Sequence, residues 1–168
     1  VGAAETLATT NKIYATLHRH ITDPTGAWGG ADLNDRILGE TPVALYPTLS
    51  GEGPRFGVSI HDDVVAARHA GKLVRCELQV ALTHHSPDDR ITISLDNEQL
   101  TLPAVRYATK EDPENPADID EIGWLVWSLA PEQLAKGDHQ LQIRLLKRDS
   151  RIAPPLRVEH VEVRLEYR

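Results

Sequence analysis

The sequence predicts an all-β domain: two antiparallel sheets packed face to face as a jelly-roll-like sandwich of about eight strands. Three observations predict it. Beyond Pro42, apolar residues recur at every second position in run after run. Those runs are separated by clusters of Pro, Gly, Asp and Asn. The one stretch there that reads as helical, Pro131-Glu132-Gln133-Leu134, is a single turn. Strands with one apolar face each must bury those faces against one another, which two stacked sheets achieve.

The elements follow in order. Val43 and Leu45, with Leu49 as an extension, begin the alternation. Phe56, Val58 and Ile60 continue it, and His61-Asp62-Asp63 ends that strand. Val74, Cys76, Leu78, Val80 and Leu82 alternate with Arg75, Glu77 and Gln79 on the opposite face. Ile91, Ile93 and Leu95 lead into Asp96-Asn97-Glu98, a tight turn toward Leu100 and Leu102 that makes a hairpin. Leu125, Trp127 and Leu129 form one face of the next strand, and Leu141, Ile143 and Leu145 of another. Val161, Val163, Leu165 and Tyr167 close the chain. Leu156 and Val158 are out of phase with that last run, so a bulge near Glu159-His160, or a break there, should reset the parity.

Residues 1–41 read differently, as an N-terminal tail before a sandwich over residues 42–168. Leu7, Ile13, Tyr14 and Leu17 recur at helix-compatible spacing, and Asp23-Pro24-Thr25-Gly26 closes the segment. The expectation is a short helix or an extended, docked tail.

Composition bounds the function. The 168 residues suffice for one core, and 40% hydrophobic with 26% charged residues is the balance of a globular domain. No apolar run approaches the ~20 residues of a membrane-spanning helix. A net charge of −7 without a basic block argues against nucleic acid. The single Cys76 forms no internal disulfide and sits at an apolar position of its strand. The absence of methionine and the start at Val1 suggest a processed chain or a piece of a larger one.

Catalytic constellations are not apparent. The eight histidines show no ligand spacing of a transition-metal site. His18 and His20 point to different sides, His84-His85 precedes turn residues, and His61-Asp62-Asp63 resembles at most half of a metal site. Between Glu111 and Glu121 there are six carboxylates and Asn115, which could wrap calcium; the commoner explanation is a charged excursion between strands. Neither a Gly-x-Ser-x-Gly elbow nor a phosphate-cradling glycine motif occurs. The expectation is no enzyme, no metal and no obligatory cofactor, with calcium as the one alternative.

The eight aromatic residues are more informative. Trp124 and Trp127 are three apart on one strand and must face opposite sides. Trp127 shares its side with Leu125 and Leu129, so it belongs to the core. Trp124 then lies on the outer face, where an indole can stack on the apolar face of a sugar or lie beneath another segment. Tyr107 and Trp28, the latter in Gly26-Ala27-Trp28-Gly29-Gly30, are further stacking candidates.

Several of these features resemble a known arrangement. Leu45-Tyr46-Pro47 is followed by a strand ending in Asp62-Asp63, and later by Ile91-Thr92-Ile93-Ser94-Leu95-Asp96-Asn97. Next come Trp124-Leu125-Val126-Trp127-Ser128-Leu129-Ala130-Pro131-Glu132-Gln133-Leu134, then Gly137-Asp138-His139-Gln140-Leu141, then the strand over residues 158–167. Together they resemble the C-terminal β-sandwich that follows the barrel in large bacterial glycoside-hydrolase-like proteins. Residues 5–14 are similar to the tail linking barrel and sandwich. The resemblance implies no catalytic residue here, because that family's acids belong to the barrel. It implies an accessory role, and an extracellular or periplasmic location if the parent protein is secreted.

The leading expectation is therefore a carbohydrate-binding-like module that contacts polysaccharide or oligosaccharide through Trp124, Tyr107 and Trp28. The alternative is a structural domain that docks on the parent's catalytic domain or on a second copy. A small metalloenzyme at His61, Asp62 and Asp63 ranks third.

Overall fold

The structure, a computed structural model, describes residues 11–16, 37–48, 52–112 and 115–168, with backbone alone over 108–112 and 115–121. Among these residues there are ten strands: β1 (Lys12–Ala15), β2 (Val43–Leu45), β3 (Arg55–Ile60), β4 (Leu73–Thr83), β5 (Arg90–Leu95), β6 (Glu98–Gln99), β7 (Ala104–Asp112), β8 (Asn115–Ser128), β9 (Gly137–Lys147) and β10 (Leu156–Tyr167). The larger sheet runs β1-β10-β4-β8-β7, with β2 also pairing β10; the smaller runs β3-β9-β5-β6. All strand pairs are antiparallel. The domain is an antiparallel β-sandwich.

The alternation places the core where it was expected. Phe56, Val58, Ile60, Ile93, Leu95, Leu141, Ile143 and Leu145 of the smaller sheet are buried in one cluster with Leu78, Val80, Leu82, Leu125, Trp127, Val161, Val163 and Leu165 of the larger. The parity reset on β10 is present. Val158 pairs with Leu82 and His160 with Ala81, which leaves Glu159 as the extra residue. Leu156 and Val158 thus share the core with Val161 and Val163 despite their odd spacing. At the β5–β6 turn, Asp96 and Asn97 have φ of +52° and +68°, and Leu95 pairs with Glu98. Positive φ at both central residues is the type I′ geometry that matches strand twist.

The structure departs from expectation at three places. Of the two forms expected for the tail, Ile13 and Tyr14 take the extended, docked one, and they join the sandwich itself: Tyr14 pairs with Val163 in the larger sheet. Residues 1–10 and 17–36, including Leu7, Leu17, His18, His20 and Trp28, lie outside the described residues, as does Leu49. A helix, α1 (Val64–His69), follows β3. Its N-cap is Asp63, whose carboxylate accepts the Ala66 N–H at 2.9 Å. Six residues with only Val64 and Ala67 buried are too short to show a period in sequence.

The third departure is the acidic stretch. Its backbone is no free excursion but the end of a long hairpin, with Thr109 opposite Glu121, Lys110 opposite Asp120 and Glu111 opposite Ile119. The reason it lacks alternation is visible in the pairing. β4 accompanies β8 only from Ile122 to Ser128, so residues 115–121 pair with β7 alone. The calcium reading concerns side chains outside the description.

Candidate functional site

Trp124 occupies the outer face of the larger sheet, as the spacing required, but only 3% of its surface is exposed. The register explains its surroundings. Arg106, Trp124, Ala81 and His160 stand in one row across β7, β8, β4 and β10. Ala81 is small enough to let the indole lie across β4 toward β10. The ring meets His160 edge-on, with centroids 6.1 Å apart and planes at 72°. On the other side the Arg106 guanidinium carbon lies 5.8 Å from the indole centroid, a cation–π contact. Trp124 is thus a clasped structural residue and offers no open platform for a ligand in solution.

The same face carries a buried ionic row along β10. His160 Nε2 and Glu162 Oε1 are 2.7 Å apart, and Arg164 Nε donates to the other oxygen of Glu162. Burial pushes the Glu162 carboxyl up, but the hydrogen bonds from His160 and Arg164 outweigh it and hold the group below its ordinary range. A histidine–glutamate pair has the chemistry of a general base. Here both members are buried on the sheet face.

Tyr107 is placed differently. It projects from β7 with 38% of its surface exposed. His85 backs its ring, with centroids 5.7 Å apart and planes at 28°. The Tyr107 hydroxyl and His85 Nδ1 share a hydrogen bond of 3.0 Å. A backbone detail creates this stack. Tyr107 lies opposite Gly123 in the β7–β8 register, and a Cβ on Gly123 would come within 2.9 Å of His85. Only a glycine leaves His85 its seat. Burial of the imidazole lowers the pKa of His85; Asp89 opposes the shift and Arg148 reinforces it.

His85 is held in turn by a polar knot between two loops. Arg148 Nη1 donates to the His84 carbonyl at 2.9 Å and to Asp89 Oδ2 at 2.6 Å. The Asp149 N–H donates to Asp89 Oδ1 at 2.6 Å, and Ser86 Oγ donates to Asp149 Oδ2 at 2.5 Å. Hydrogen bonds from Arg151 and Ser86 keep the Asp149 carboxyl well below the usual carboxylate range. The sequence shows Ser86 and Asp89 only as turn formers, and nothing local announces that Ser86 and Asp149 meet.

His61, Asp62 and Asp63 have structural partners: Asp62 accepts the Tyr167 hydroxyl at 2.7 Å and pairs with Lys12 at 3.1 Å, while Asp63 caps α1. Among the described residues no three His, Cys, Asp or Glu side chains gather in a group that could hold a metal ion. Sequence reasoning also missed a shallow groove of about 360 Å³ beside Tyr46. The available signal was phase, since Tyr46 follows the core residue Leu45 and so points outward. Compared with known proteins, the chain matches no family model and no curated sequence.

Proposed function

We propose that this domain is a non-catalytic accessory module that binds carbohydrate, with Tyr107 as its stacking ring. The observation that supports this reading is the Tyr107–His85 stack: an exposed aromatic whose ring is backed and whose hydroxyl is tied. A ring already ordered loses little conformational entropy when a sugar face settles on it. The net charge of −7 favours neutral over anionic polymers. Trp124, the first candidate from sequence, has a structural role in this reading. A platform of one ring buries little area, so the affinity is modest. The parent that such a module would serve is a polysaccharide-active protein, as the resemblance implies.

Affinity electrophoresis tests the proposal. Gels cast with hydroxyethyl cellulose, xylan, galactomannan or pectin should retard the domain in at least one case, and Tyr107→Ala should weaken the retardation. Unchanged mobility in all four gels overturns it.

A second reading, docking on a neighbouring domain or a second copy, is favoured by one observation. Leu102 is 93% exposed, and Val105 beside it on β7 is nearly half exposed. Replacing both with lysine would dissolve a dimer seen by light scattering. A monomer at all concentrations removes the self-association form of this reading.

A further inference from the structure

We infer that the groove beside Tyr46 is a second carbohydrate contact, at the opposite edge of the sandwich from Tyr107. The inference rests on the carbohydrate reading above and adds to it a site that the aromatic pattern of the sequence did not single out.

The groove forms where the chain crosses between sheets. β2 pairs with β10 in the larger sheet, Leu45 opposite Leu156. Two residues later Pro47 bridges Leu145 of β9 in the smaller sheet, and the Thr48 N–H donates to the Leu145 carbonyl at 3.4 Å. Tyr46 sits on this step, 67% exposed, with its backbone pinned on both sides. The facing wall is Glu52-Gly53-Pro54. Gly53 is pressed so closely on β9 that a Cβ would lie 1.9 Å from the Ile143 carbonyl oxygen. The Ile143 N–H then donates to the Pro54 carbonyl at 3.1 Å. Both walls are tied to β9 by main chain, so the groove needs no rearrangement to receive a ligand.

Its chemistry selects the ligand class. Tyr46 supplies an exposed ring and Glu52 a carboxylate, Thr48 also lines the groove, and Leu45 and Leu145 lie buried at its base. The lining residues include no basic side chain, so nothing in the lining attracts an anion. A sugar ring matches this: its C–H face lies on the exposed tyrosine ring, and its hydroxyls donate to the carboxylate. A basic peptide matches less well, because Glu52 is exposed and its attraction is screened by water. The volume of about 360 Å³ is at the small end for ligand sites and suits a short segment of a chain.

The two tyrosines are set well apart. β2 pairs with β10, and β4, β8 and β7 follow, so β2 and β7 are four strand steps apart, about 19 Å at the usual strand spacing. A long polymer that reaches both contacts gains avidity that a short oligosaccharide does not.

The test uses the same four polysaccharide gels with wild type, Tyr46→Ala, Tyr107→Ala and the double variant. Tyr46→Ala should weaken apparent binding to the retarding polymer about tenfold or more, with the thermal midpoint unchanged because the side chain is exposed. The double variant should run free. Retardation of Tyr46→Ala equal to wild type, with Tyr107→Ala released, overturns this inference and leaves the carbohydrate reading standing. No retardation of wild type in any gel overturns both. Tetralysine displacing the polymer from wild type, but no longer acting on Glu52→Gln, would make the groove a cation site and overturn the inference as well.

Discussion

Arg148 and Asp89 face each other across the end of the sandwich at 2.6 Å, and the pair ties the β4–β5 loop to the β9–β10 loop. Asp89 is almost solvent-free, and its two oxygens also take the backbone N–H groups of Ser86 and Asp149. Removing either partner leaves a poorly solvated charge. Asp89→Ala should therefore cost about 3–5 kcal/mol in urea unfolding. Arg151, which reaches the same knot from an exposed position, should matter far less when replaced by alanine. Equal losses at the two sites would show that the knot does not work through burial.

Trp124 yields a prediction of the opposite kind to the one its position on the outer face first suggests. Trp124→Ala empties a covered site between Arg106 and His160 and should destabilise the domain by about 3–5 kcal/mol. In a Trp28→Phe background, the remaining indoles should emit in the blue and resist acrylamide. A red, readily quenched emission would place Trp124 in solvent instead.

His85 sets a pH dependence with a definite sign. Its folded pKa lies below the ordinary 6.5, chiefly through burial, with Arg148 in support and Asp89 in opposition. Between those two values the unfolded chain binds the extra proton, so stability rises with pH there. The contribution is complete above the unfolded pKa and is lost as pH falls below it. Urea midpoints from pH 8 to pH 5 should fall more steeply for wild type than for His85→Gln. The depressed carboxyl of Glu162 acts in a separate window, where stability is lost as pH drops through the ordinary carboxylate range.

Gly123 links backbone to platform. Gly123→Ala puts a methyl within 2.9 Å of His85 and must displace it. The displaced imidazole becomes solvated, so its NMR titration should move back up toward the ordinary histidine value. Overpacking of this kind costs about 1–3 kcal/mol. A titration unchanged from wild type would mean that the seat is not the one described.

Cys76 should be inert in the folded state. Burial, with help from Glu77, pushes its thiol pKa up to about 12, so almost no thiolate exists at neutral pH. Reaction with a disulfide reagent should follow global unfolding; labelling in native buffer within minutes would contradict this.

Much of this protein was legible in the residues alone. Alternation assigned the inner faces of the main strands, Trp127 to the core and Trp124 to the other side; the phase break at Leu156 and Val158 located the bulge, and Asp96-Asn97 located the turn. These are local properties, because a two-residue period tells which way each side chain points. Whether that side meets water is a different matter. Trp124, His160 and Glu162 are buried on the face that alternation leaves to solvent, while among the described residues Tyr107 and Tyr46 are the aromatics left open. β1, the tip of the β7–β8 hairpin and the Arg148 knot were equally hidden, since each depends on pairing between segments far apart in the chain. Direction is written in sequence spacing; cover is decided only when distant strands, and the single Cβ missing at Gly123, come together in space.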